Sequence, residues 1–309
     1  MNGWDEGVVS STLWYHILTA PLLVSLVVKG DTLAVSTKLT TPTYTKVTGG
    51  QQVIFTKRPG GEAVFTSGFA TRSTVVAEDL IFDHGIIQVI DTVMRIPEPL
   101  EATTRFAYRD MSIFFSTLAW NGLLDEFTSA KDVTIFAPQN SAFQALVSLL
   151  GRMSQDEIRP ILRHHLVPNS IKHSWEFLNE SSVRAADNTP INITRSNNYI
   201  YASPARLLQT DILLSNGVVH MIDNVLSPNP ALTQPDVTAN TETPPTTECG
   251  HHIICTHVAG PTTDEDEATT SDIDSFRAPE LSGSGKVAGA GIGAVLVLGA
   301  LLGLLLVGV

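Results

Sequence analysis

Histidine and aspartate recur at matched places along this 309-residue chain, and they are the side chains best suited to acid–base chemistry. His16 lies in WYHILTAP (14–21) and His165 in RHHLVPNS (163–170), each an apolar segment in which a Pro soon follows. Asp91 closes HGIIQVID (84–91), and Asp223 closes NGVVHMID (216–223). An imidazole that titrates near neutrality could move a proton, and a carboxylate could assist it. The repeat itself restricts that idea. His220 of the second stretch stands where the first has Gln88, and a catalytic imidazole shared by two copies would not be exchanged for an amide. Neither Asp has a second carboxylate in its own stretch. Strand-end carboxylates bonded to backbone amides are therefore expected, together with histidines bonded to backbone groups at helix ends. His165 and Asp223 remain the pair on which an enzymatic alternative would draw.

A second candidate centre is CGHHIICTH, 249–257. Cys249, His251, His252, Cys255 and His257 carry thiolates and imidazoles that suit zinc or copper. The spacing is not a standard zinc pattern, and in an oxidising compartment a local Cys249–Cys255 disulfide is the simpler outcome. The run DEDE at 264–267 lacks the alternating oxygen ligands and turn Gly of a calcium loop, and reads as a solvated charge run. No phosphate-binding loop, dinucleotide Gly pattern, HExxH or GxSxG elbow occurs. No metal or cofactor is implied.

Net charge is −12, and it is unevenly placed. Residues 228–285 hold ten acidic side chains against Arg277 alone, so the acidity belongs to a Ser/Thr/Pro-rich linker. Such a segment repels phosphate backbones and disfavours nucleic acid as a partner. From Val287 to Val309 no side chain is charged or polar, and the stretch is long enough to cross a hydrocarbon core of about 30 Å. Small residues precede it, with Ser282, Gly283 and Ser284 as candidate attachment sites for a glycosylphosphatidylinositol anchor. A single membrane helix with Gly289 and Gly293 on one face is the alternative. The N-terminal MNGWDEGVVSS is acidic, unlike the start of a secretory signal.

The elements that would position these residues follow from periodicity. After Gly85 and after Gly217 the apolar side chains alternate with period two, which predicts two strands. Asn216 and Gly217 are expected to form a type I′ turn with both residues at positive φ. VTIFAPQNSAFQALVSLLG (133–151) predicts a strand ending at Pro138 and a helix from about Asn140 to Gly151. Ser154 with Glu157 forms a capping-box pattern ahead of a helix that Pro160 should keep short or bent. The first copy has a longer middle, with turns at Gly49–Gly50 and Pro59–Gly60–Gly61 between β-prone runs. The segment equivalent to 133–151 would fall before Met1, which makes copy one a half domain lacking its start.

VTIFAPQNSAF, RHHLVP and LLSNGVVHMIDNVLSP resemble, in that order, the first, central and closing boxes of the fasciclin domain. WYHILT and HGIIQVIDTVM resemble the last two of these boxes, and the wording around VFTSGF is similar to fungal fasciclin-like surface proteins. The resemblance implies an α+β fold, a β-wedge or sandwich with packed helices, present once in part (1–98) and once in full (101–228). A disordered linker (229–285) and the apolar tail (286–309) would follow. It also implies a non-enzymatic surface protein of adhesion or cell-wall organisation, which reaches its site by the secretory pathway. Its partners would be extracellular proteins, glycans or other fasciclin domains. The central box would engage them through Tyr15, His16, His164 and His165, although His164 stands where Tyr is usual. Asn179 and Asn192 head N-glycosylation sequons and would lie on surface loops.

Overall fold

The computed structural model describes residues 6–83, 85–144, 152–226, 228 and 295–300. Two lobes repeat one plan. In the first, α1 (Glu6–Tyr15) leads into β1 (Ile17–Leu18), β2 (Thr32–Ser36), β3 (Gln52–Lys57), β4 (Ala63–Thr66), β5 (Arg72–Phe82) and β6 (Gly85–Ile90). In the second, α2 (Leu100–Phe106), α3 (Ser112–Trp120) and α4 (Leu124–Ser129) precede β7 (Val133–Pro138), α5 (Gln155–Arg163) and β8 (Leu166–Val167). Then come β9 (Ser181–Arg184), β10 (Pro190–Ser196), β11 (Tyr199–Ala202), β12 (Ala205–Leu214) and β13 (Gly217–Ile222). A last strand, β14, is Val295–Ala300. The two sheets run β1-β14-β6-β5-β4-β3-β2 and β8-β7-β13-β12-β11-β10-β9. Helices and sheet thus segregate as α+β.

β7 is fully buried along its length, as a strand between a helical layer and the sheet's second face must be. One face packs with Phe114, Leu118 and Phe127 of α3 and α4, the other with Phe177, Ile191 and Ile193. The first lobe has no counterpart of α3 and α4 among the described residues. Its Leu80, Ile81 and Phe82 are accordingly exposed, whereas Ile212, Leu213 and Leu214 at the matching places are buried. β14 occupies the place that β7 has in the second sheet, but with reversed direction: it is antiparallel to β6, while β7 is parallel to β13. The six tail residues described are therefore extended, not helical, because β1 and β6 stand one strand apart and pair with whatever backbone lies between them. The rest of the tail, the linker, Cys249, Cys255 and Ser282–Ser284 lie outside the described residues.

Ser154 and Glu157 complete the expected capping box, and α5, with Pro160 inside it, is nine residues long. Helical conformation begins at Asn140 as expected, and 145–151 lie outside the described residues. The closing turn differs from expectation. It is made by Ser215 and Asn216, and neither is among the residues with positive φ. Asn216 is buried and turns its Nδ2 inward, donating to the carbonyls of Phe127 (2.8 Å) and Ala130 (3.0 Å) at the end of α4. Gly217 serves close approach: a Cβ there would lie 2.0 Å from the carbonyl oxygen of Val133 in the neighbouring strand.

The longer middle of the first copy is largely one loop. Residues 37–51 join β2 to β3, where the second lobe uses only 185–189 between β9 and β10. The long loop binds the second lobe. Lys46 N–H donates to Ser215 O (2.7 Å), and Lys46 Nζ to Thr128 O (2.8 Å). Thr48 N–H donates to Asp132 Oδ1 (2.7 Å), and Gln51 Nε2, fully buried, to Leu214 O (3.2 Å).

Gly217→Ala is expected to lower the midpoint of urea unfolding by the equivalent of about 3 kcal/mol or more, because backbone rather than a flexible side chain must move. Chemical denaturation followed by circular dichroism measures it. An Asn216→Ala control should cost about 1–3 kcal/mol through the unmet carbonyls of α4.

Candidate functional site

The central-box histidines sit where a helix ends and the sheet begins. His16 follows α1, and its Nδ1–H donates to Thr12 O (2.7 Å) while Nε2 accepts from Met94 N–H (3.0 Å). His165 repeats this, with Nδ1–H to Ile161 O (2.8 Å) and Nε2 from Leu226 N–H (2.9 Å). Each ring is a neutral bridge from the last helical turn to the segment after the closing strand. Burial pushes His165 down to about 3, with the neighbouring His164 adding to the shift, and burial also lowers His16. Both ring nitrogens of each histidine are committed to backbone, so neither is free to take a proton from a substrate.

Tyr15 and His164 occupy matching positions and are likewise inside the protein. Tyr15 OH donates to Gln52 O (2.9 Å). At the second position the imidazole replaces the phenol, and the chain supplies new partners. His164 Nδ1 lies 3.1 Å from Asp187 Oδ2 and 2.7 Å from Thr189 Oγ1, and Nε2 is buried without a partner. Burial lowers the His164 pKa against the pull of Asp187. The four residues named from the central box are thus buried side chains, at most 3% exposed. They shape a surface from beneath and do not themselves form one.

The closing strands carry a second pair of bridges. His220 Nδ1 accepts from Asp211 N–H (3.2 Å), and Nε2–H donates to Lys172 O (2.8 Å). Gln88 does the same work with an amide: Oε1 accepts from Asp79 N–H (2.9 Å), and Nε2 donates to Leu22 O (2.9 Å). The exchange of His for Gln thus preserves one acceptor and one donor at one spacing. Asp79 and Asp211 both have positive φ and sit at matching register shifts in β5 and β12. A bulge of this kind re-aims a side chain. Asp79 accepts from the amides of Val24 and Ser25 (2.8 Å each), and Asp211 from Ser174 N–H (2.8 Å) and the Ser174 hydroxyl. Burial acts to raise Asp211, but the nearby His173 and His220 rings and the two Ser174 donors hold it well below the usual carboxylate range.

Asp91 and Asp223 behave as expected of strand-end carboxylates. Asp91 Oδ1 accepts from Thr74 N–H and Asp223 Oδ1 from Arg206 N–H, both at 2.8 Å. Burial raises Asp223 against that bond and the Arg206 charge, 3.6 Å away. Asn179 and Asn192 are both exposed, Asn179 in a turn as expected, but Asn192 lies within β10, paired with Ser182 of β9, and not on a loop. Sequence reading did not single out Asp79, Asp211, Asp187 or His173. For the first two a signal exists, since an Asp lies nine residues before both Gln88 and His220. The other two have no counterpart in the first lobe, where Leu23 takes the place of His173.

The bridges make two predictions. His220→Gln should leave the unfolding midpoint within about 1 kcal/mol of wild type, while His220→Ala should cost about 2 kcal/mol or more by orphaning two buried backbone groups. Stability should also fall on acidification. His165 is held neutral in the fold and has an ordinary value of 6.5 when unfolded, so its contribution is complete above that value and is lost as pH drops toward about 3. Denaturation midpoints taken from pH 7 to pH 4 would measure this, on the order of 3 kcal/mol across that range.

Residues 109–228, the second lobe, match the family model of the fasciclin domain. The chain is 28% identical over 209 residues to a fasciclin-like arabinogalactan protein of Arthroderma benhamiae, covering 68% of this chain and 48% of that protein. To one of Cercospora beticola it is 30% identical over 198 residues, covering 63% and 52%. Human periostin is 25% identical over 166 residues, 51% of this chain and 19% of periostin. The chain spans about half the length of the two fungal relatives. A FAS1 domain pair from the insect cell adhesion molecule fasciclin I aligns with a TM-score of 0.38 at 17% identity, over 63% of this chain and 71% of that one. With its signature boxes placed as helix-end and strand-end bridges, the second lobe carries a fasciclin domain over residues 109–228.

Proposed function

We propose that the chain is a non-enzymatic adhesion or cell-wall-organising protein of the outer cell surface, binding protein or glycan partners. One observation carries this reading: the recurring His and Asp side chains are spent on backbone groups in both lobes, which leaves them architectural. Among the described residues no three His, Cys, Asp or Glu side chains are grouped so as to hold a metal. The outer surface instead shows large side chains to solvent, with Trp120 79% and Phe106 66% exposed. Such faces suit contact with apolar side chains or sugar rings. The names of the fungal relatives, fasciclin-like arabinogalactan proteins, support a wall or surface setting. Secretion, glycans on the exposed Asn179 and Asn192, and a lipid anchor attached among Ser282, Gly283 and Ser284 complete this proposal.

Cells displaying the full chain are expected to aggregate, or to bind wall preparations, well above mock-displaying cells. Phosphatidylinositol-specific phospholipase should release the protein, and endoglycosidase should increase its mobility. Substrate turnover that Asp223→Asn abolishes in a folded protein would instead establish the enzymatic alternative through His165 and Asp223.

A further inference from the structure

Residues 67–71 join β4 to β5 in the first lobe, where 203–204 alone join β11 to β12 in the second. Closing the hairpin does not need the longer connection, and the added residues carry an aromatic side chain at a conformational cost. Phe69 (φ 57°) and Ala70 (φ 53°) are both left-handed without being glycine, so their surroundings must enforce the turn. Gly68 N–H donates to Arg95 O (2.8 Å), and Arg95 N–H donates to Ser67 Oγ (3.0 Å). A Cβ on Gly68 would lie 2.6 Å from Ile96 O. The turn and the segment after β6 are thus clamped together.

That clamp sets four side chains from both lobes in one row. The Arg95 guanidinium carbon lies 4.3 Å from the centre of the Phe69 ring. The Phe69 and Phe106 ring centroids are 6.4 Å apart, and the Arg105 guanidinium carbon lies 5.4 Å from the centre of the Phe106 ring. Arg95, Arg105 and Phe106 are exposed, and Phe69 is half-buried. Among the described residues neither guanidinium forms a hydrogen bond or an ion pair, although Glu101 stands one turn before Arg105 on α2. A guanidinium stacked on a ring keeps its N–H edge free to bind a carboxylate in two-pronged fashion. On a chain of net charge −12, two cations without a counter-charge are a local exception.

The order cation, ring, ring, cation complements a polymer in which carboxylates recur with apolar ring faces between them. Polysaccharides that contain uronic acid have that pattern, whereas an acidic peptide presents flexible side chains and no such faces. We propose that Arg95, Phe69, Phe106 and Arg105 form a binding site for a uronate-bearing polysaccharide. The guanidiniums hold successive carboxylates, and the rings pack against the sugar face between them. This assignment rests on the reading of the chain as a surface protein that binds partners, and it names the class of one partner.

Calorimetric titration of the full chain, solubilised in neutral detergent, with an oligogalacturonate tests the site. The oligogalacturonate should bind, and its uncharged methyl ester should bind at least about tenfold more weakly. Arg95→Gln, Arg105→Gln and Phe106→Ala should each lower affinity about tenfold with the unfolding midpoint unchanged, and raising salt from about 0.05 M to about 0.5 M should weaken binding further. Polyglutamate of matched length binding as tightly as the oligogalacturonate would overturn the assignment in favour of an acidic peptide. Binding that survives the double Arg95→Gln, Arg105→Gln variant while its unfolding midpoint falls would leave the row as interlobe packing only. Displaying cells separate this site from the broader reading. If the double variant aggregates cells as well as wild type and oligogalacturonate does not bind, the site is overturned and adhesion stands. If oligogalacturonate binds as described but wild-type cells do not aggregate, the site stands and adhesion does not.

Discussion

A buried imidazole that bonds backbone at both nitrogens is the interaction on which each lobe depends. At His16 and at His165 the ring takes a carbonyl from the last turn of a helix and an amide from the chain that leaves the closing strand. At His165 the ring is the partner of both groups, while at His16 the Thr12 carbonyl also accepts from the His16 backbone N–H (3.2 Å) and the ring's own contribution is the Met94 amide. The helix end has no further turn to bond to, and the segment after the strand has no partner strand at that point. An unmet buried polar group costs about 1–3 kcal/mol, so one side chain that satisfies two of them fixes the helix against the sheet. The price is pH sensitivity, since the bridge works only while the ring is neutral.

The comparison of lobes shows which features the fold requires and which it merely permits. Gln88 and His220 differ in every chemical property except the two that matter, an acceptor and a donor at one spacing. Asp79 and Asp211 keep even the same left-handed backbone, because the bulge must aim a carboxylate at donors of the neighbouring turn, two amides for Asp79 and the Ser174 amide and hydroxyl for Asp211. Tyr15 and His164 part company: the phenol reaches a carbonyl directly, while the shorter imidazole meets Asp187 and Thr189. A position that alternates between Gln and His, or between Tyr and His, is held by the geometry of its bonds.

Much of this was legible in the residues. The alternation after Gly85 and Gly217 gave the closing strands, Ser154 and Glu157 gave a helix start, and the His-to-Gln exchange argued against a shared catalytic centre. Local patterns report local bonds, and there they succeeded. They failed where a residue serves a distant one. Asn216 and Gly217 form a familiar turn pair, yet Asn216 caps a helix 86 residues upstream in the chain, and Gly217 makes room for the carbonyl of Val133. His173 and Gln52, whose side chains meet at 2.9 Å, are 121 residues apart, and neither has a period or neighbour that marks it. The tail reads as a membrane-length apolar run, but the six residues described show a strand, because an open sheet position satisfies the backbone of an apolar segment as well as a helix does.

The long loop of the first lobe explains how two such units act as one. A β2–β3 connection of five residues, as in the second lobe, would end well short of β12 and α4. At fifteen residues it places Lys46, Thr48 and Gln51 against carbonyls and a carboxylate of the second lobe, with Gln51 fully buried. These bonds are polar and mostly directed at backbone, so they set orientation more than they add hydrophobic stabilisation. Two lobes joined only by the segment between β6 and α2 would swing, and each contact would have to be made independently. In the proposed adhesive role, faces held in one orientation would meet a partner together, with the ordering cost of the second contact largely removed beforehand.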